Sequence, residues 1–131
     1  IEYLDIAINR EPNVGQYYNS KGSILARIGR FDESFAAFAK AIELEPNNAL
    51  FLESLGFAYV DLGNKLNEDA TYLDNKAYAK AKVEIDAAYK NALPYFEKAY
   101  ELEPDNESFK HSLRSLYYRL GMNDKYEALA D

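Results

Sequence analysis

The chain has 131 residues, 48% of them hydrophobic and 28% charged, with a formal net charge of −7; that is enough apolar mass for one continuous core. The acidic balance argues against non-specific attraction to nucleic acid or anionic lipid, both of which need a positive surface field. The lack of cysteine excludes disulfides, thiol catalysis and thiolate metal sites, and leaves the compartment open.

The chain opens at Ile1-Glu2-Tyr3-Leu4 in what reads as mid-helix, without a methionine, so it is read as a fragment or a processed chain. Residues 1–14 form a truncated unit with only its second helix, over residues 1–11. Residues 15–48 form a hairpin of helices at about 15–28 and 32–45. Gly29 stands where a helix C-terminus needs a left-handed residue, and Asp32 where the next helix needs a cap. Residues 49–106 form a second hairpin carrying an insertion of about 24 residues near 64–87. Leu62, Leu66 and Ala70 continue a helical stripe before its turn; Ala77 or Tyr78, Ala81 and Ile85 continue one after it. Lengthening both helices by about 12 residues each would project them roughly 18 Å beyond their neighbours. The alternative is a separate helix over 75–91, and Pro94 predicts a kink near Lys90 in either case. Gly63 would fall inside the lengthened first helix. Residues 107–131 form a partial, capping unit, with a helix over 107–120 and a shortened partner starting at Asp124. The longest apolar runs fall far short of the ~20 residues that span a bilayer.

These units repeat in register. Glu11-Pro12-Asn13, Glu45-Pro46-Asn47 and Glu103-Pro104-Asp105 are versions of one turn. Ala7, Ala41 and Ala99 precede the prolines by five positions; Gly29, Gly63 and Gly121 follow them by 17. Pro12 and Pro46 are 34 residues apart, Pro46 and Pro104 58. A fixed period in this range means stacked helical hairpins, because one hairpin cannot bury its apolar face alone.

The pattern resembles the tetratricopeptide repeat family over nearly the whole chain. One unit reads Tyr18, Lys21, Gly22, Leu25, Ser34, Phe38, Ala41, Pro46; the next reads Leu52, Leu55, Gly56, Tyr59, Ala92, Phe96, Ala99, Pro104. Two positions depart from it: Lys21 where the family usually has leucine, and Arg114 where it has a small residue. The resemblance implies an all-α solenoid of stacked antiparallel hairpins, a right-handed superhelix with one extended hairpin. It implies that Gly22 and Gly56 allow close approach opposite Ser34 and Ala92, and that Tyr59, Phe38, Phe96 and Tyr117 are core. It also implies a concave groove, lined by first helices, where peptides or partner helices dock. The matching positions are Asn19, Ser23 and Arg27; Glu53, Phe57, Val60 and Asp61; His111, Ser115, Tyr118 and Arg119. Phe57 and Tyr118 fall outside the core register and are the candidate apolar anchors. One subtype grips carboxylates with lysine-asparagine clamps; the corresponding residues here include Asn19, Ser23, Ser54, Ser108 and Ser112, and the lysines are missing.

Helices 15–28 and 107–120 each carry a net +2, helix 49–62 a net −2 and helix 32–45 a net −3. That division favours a ligand with negative ends and a neutral or positive middle. No residue group calls for catalysis, a cofactor or a metal. His111 is the lone histidine, the recurring Glu43, Glu45, Glu101 and Glu103 read as a solvated face, and Asn67-Glu68-Asp69 with Asp74 lacks the glycine of a calcium loop. The sequence thus points to a non-catalytic interaction module with a protein or peptide partner. The alternatives are an oligomerising segment, using the flank at Leu4 and Ile8 and the insertion with Tyr72, Leu73 and Tyr78, or an accessory domain of a larger enzyme.

Overall fold

The computed structural model describes residues 1–130; the last residue of the C-terminal unit lies outside them. Among the described residues the chain is an all-α helical repeat solenoid. Its helices are α1 (Glu2–Arg10), α2 (Gly15–Arg27), α3 (Phe31–Leu44), α4 (Ala49–Ala70), α5 (Asn75–Leu102), α6 (Glu107–Arg119) and α7 (Asn123–Ala128). None of them is long and apolar enough to cross a membrane.

The helix ends follow from local chemistry. Asn48 Oδ1 accepts from the Phe51 amide at 3.2 Å, and Asn106 Oδ1 from the Phe109 amide at 3.1 Å. Each asparagine stands two residues after a repeat proline and satisfies an amide that the helix leaves unpaired. The first turn has Val14 at that place, and α2 starts without a side-chain cap. Asp32 does not cap α3. Arg30 is the N-cap, without a side-chain bond to a helix amide, and Asp32 lies inside the first turn, where its charge favours the positive helix end. Gly29 and Gly121 take φ of 83° and 71°. The amides that follow them reach back to Leu25 and Tyr117 carbonyls at 2.8 and 2.9 Å, closing the C-termini of α2 and α6.

Gly63, the third glycine of that series, serves another purpose because α4 continues past it. The insertion lengthens the hairpin unequally: α4 has 22 residues against 13 in α2, and α5 has 28 against 14 in α3. Asp74 caps α5 through the Ala77 amide at 2.8 Å. There is no separate helix over 75–91, since α5 runs unbroken through Pro94. Burial outweighs the one hydrogen bond that proline removes: Ile85, Tyr89, Ala92 and Phe96 join Leu113, Leu116 and Tyr117 of α6 in one core cluster.

The close approaches are made by aromatic rings. A Cβ on Gly22 would lie 2.9 Å from the Phe38 ring, and one on Gly56 only 2.5 Å from Phe96. At Gly56 the nearest atoms belong to the Phe96 ring, one helical turn beyond Ala92. Ser34 does face Gly22, donating to its carbonyl at 2.7 Å. Phe38, Phe96 and Tyr117 are buried, but Tyr59 is only half-buried. It is stacked between Phe35 and Tyr95, with ring centroids 4.2 and 5.9 Å away.

The two sequence departures are absorbed locally. Lys21 Nζ meets Asp5 Oδ1 of α1 at 2.7 Å, a contact a leucine could not make. Arg114 lays its guanidinium over the Tyr126 ring of α7, 4.1 Å from the centroid, so a cation–aromatic contact replaces close packing in the last hairpin.

Candidate functional site

α2, α4 and α6 share one hollowed face. A hollow of about 230 Å³ is lined by Ser23 and Arg27 of α2 with Ser54, Phe57 and Asp61 of α4. A second, also about 230 Å³, is lined by Phe57 and Val60 of α4 with His111, Ser115 and Arg119 of α6. Phe57 thus lines both, 44% exposed. Its ring meets Phe96 edge-on, at 5.1 Å and 69°, which fixes an exposed aromatic on a rigid helix. A third hollow, about 430 Å³, lies between α6 and α7 and is lined by Tyr118 and Tyr126 together with His111, Arg114, Ser115 and Arg119. Tyr118 is 68% exposed.

Three of the residues singled out in the sequence are buried or tied to other side chains. Asn19 is buried, its Oδ1 without a hydrogen-bond partner, and it lines none of these three hollows. Glu53 is half-buried and accepts from Ser112 Oγ at 3.3 Å, tying α4 to α6. Arg119 lines two hollows, yet its Nη1 donates to Tyr89 Oη at 2.8 Å. Tyr89 Oη in turn donates to Asn64 Oδ1 at 2.7 Å. The sequence reading missed Asn64 and Tyr89 as partners of Arg119, because the insertion hid which residues of the long hairpin face α6. It also missed Tyr126, which sits on a six-residue helix with no periodicity to read.

The two carboxyls in the middle of the face hold their protons more tightly than ordinary carboxyls do. Burial raises the Glu53 carboxyl above its ordinary value, and the Ser112 hydrogen bond opposes this only in part. Burial alone raises Asp61. Loss of solvent disfavours the charged form, so a cationic group arriving here would gain from restoring it. Beneath the face, Tyr117 donates to Glu97 at 2.7 Å; burial first, then that bond and the carboxylate charge, push its hydroxyl far up.

A TPR repeat pattern matches residues 22–63, and a tetratricopeptide repeat pattern matches residues 87–106. The chain carries tetratricopeptide repeats over these residues. The two matches flank the lengthened part of the α4–α5 hairpin. A solved structure of an IFIT1 monomeric mutant with Gppp-AAAA has a similar fold, with a TM-score of 0.81 at 20% identity. The likeness covers 98% of this chain and 27% of that one, so the chain spans about a quarter of that protein's length. No curated protein sequence matches the chain. Tetratricopeptide repeats generally mediate protein–protein interaction and are generally non-catalytic.

Proposed function

We propose that this chain binds a peptide or partner helix along the face built by α2, α4 and α6. The observation that carries the reading is Phe57, an exposed aromatic held rigid at the wall shared by two hollows. A rigid ring with open space on both sides is the usual form of an interface anchor, because little side-chain freedom is lost on binding. Tyr118 supplies a second anchor one hollow further along. The partner is a protein, and the binding is non-covalent.

The test compares wild type with the Phe57→Ala/Tyr118→Ala pair in a cross-linked pull-down from the source lysate, with thermal melts of both. Loss of one specific partner at an unchanged melting temperature supports the face as the site. Retention of that partner contradicts it.

A second reading is favoured by the end of the long hairpin, where Tyr72 is 95% exposed, Leu73 45% and Val83 70%. Such a patch suits self-association. Shortening residues 65–86 would then abolish an oligomer seen by light scattering; a monomer before and after removes this reading.

A further inference from the structure

The hollow between α6 and α7 differs in charge from the rest of the face. Arg114, Arg119 and His111 line it, and none of its lining residues is a carboxylate. The hollow between α2 and α4, by contrast, is lined by both a cation, Arg27, and a carboxylate, Asp61.

The two arginines are held in place. The Arg114 guanidinium lies 4.1 Å from the Tyr126 ring centroid, and the Arg119 guanidinium 4.6 Å from that of Tyr89. Arg114 Nε is buried and has no hydrogen-bond acceptor. A buried guanidinium N–H without an acceptor is unfavourable. A cationic fork fixed over a ring is already arranged for a planar oxyanion. The Tyr118 and Tyr126 rings supply walls for the methylenes of a short acidic side chain.

We infer that this hollow receives an oxyanion-bearing side chain of the bound peptide, a glutamate carboxylate or a phosphorylated side chain, and so fixes which end of the peptide lies over α6 and α7. The inference rests on the peptide-binding reading above and adds a site and a polarity to it. Charge complementarity carries it: Arg114 and Arg119 line the hollow at this end with no carboxylate beside them, while Glu53 and Asp61 occupy the middle of the face.

The experiment is an amide-resolved NMR titration of the full chain. Three acetylated, amidated peptides are used, alike except for a central Glu-Glu, a phosphoserine pair or Gln-Gln. The Glu or phosphoserine peptide should shift amides from His111 to Tyr126, and the Gln peptide should not. A response to only one of the two anionic peptides identifies the source of the oxyanion. Arg114→Met should weaken binding about tenfold or more, the size of one lost charge-assisted hydrogen bond, and Arg114→Lys should weaken it less. Ser115→Glu, at an exposed rim position, should abolish it by repulsion and serves if the Arg114 variants fail to fold. Equal binding of the Glu and Gln peptides, indifference to both substitutions, or shifts confined to the Ser23–Asp61 hollow overturns the inference and leaves the peptide-binding reading standing. So does silence from all three peptides at millimolar concentration, since the Phe57 and Tyr118 variants judge that reading independently.

Discussion

Tyr89 closes over Gly63 so tightly that a Cβ on the glycine would lie 2.5 Å from the tyrosine ring. The hydroxyl of the same ring bonds Asn64 and Arg119. One glycine therefore joins the two long helices and, through Arg119, ties the hairpin to α6. Gly63→Ala normally gains about 1 kcal/mol in a helix interior. Here the displaced ring should reverse the sign, giving a net loss of about 1–3 kcal/mol, as overpacking does. Urea unfolding of the two proteins checks this; a more stable variant would show that the ring moves freely.

Gly29 is demanding for the opposite reason. No atom lies within 4 Å of a Cβ built there, but its φ is +83°. Gly29→Ala should cost about 1–2 kcal/mol from backbone strain alone, and Gly29→Asn less. Thermal melts of the pair separate backbone strain from steric clash.

Asp61 predicts a pH effect with a definite sign. Burial raises its carboxyl above the ordinary 3.8, so the folded state holds the proton more tightly than the unfolded one. The group's stabilising contribution is complete below that ordinary value and is lost as pH rises through the raised one. Asp61→Asn should therefore be more stable than wild type at neutral pH, with the difference vanishing in acid. Melting temperatures across pH 3 to 7 would show it, and a constant difference would contradict it.

The ion pair of Lys21 with Asp5 links α1 to the rest of the chain, and α1 contributes no buried residue. A partly exposed pair is worth at most about 1 kcal/mol. Asp5→Ala should speed hydrogen exchange in α1 severalfold while leaving the α4 and α5 amides unchanged.

The repeat architecture was legible because prolines, glycines and alanines recur in fixed register, and each constrains the backbone in its own way. Phe57 and Tyr118 were legible as exposed aromatics because the register of the repeat they resemble places them outside the core positions. Asp32 misled because a carboxylate near a helix start serves the cap and the first turn equally well. The roles of Gly63 and Arg119 were hidden by the insertion: once the period breaks, spacing no longer tells which residues of two long helices face each other. The aromatic partners of Gly22 and Gly56 depend on ring direction, which spacing does not encode.

The most direct test of the binding face is site-specific photo-crosslinking. A photoreactive phenylalanine analogue replaces Phe57 in one protein and Val83, exposed on α5, in another. The partner should be captured from position 57 and not from position 83. Capture from position 83 alone would contradict this and move the interaction to the long hairpin.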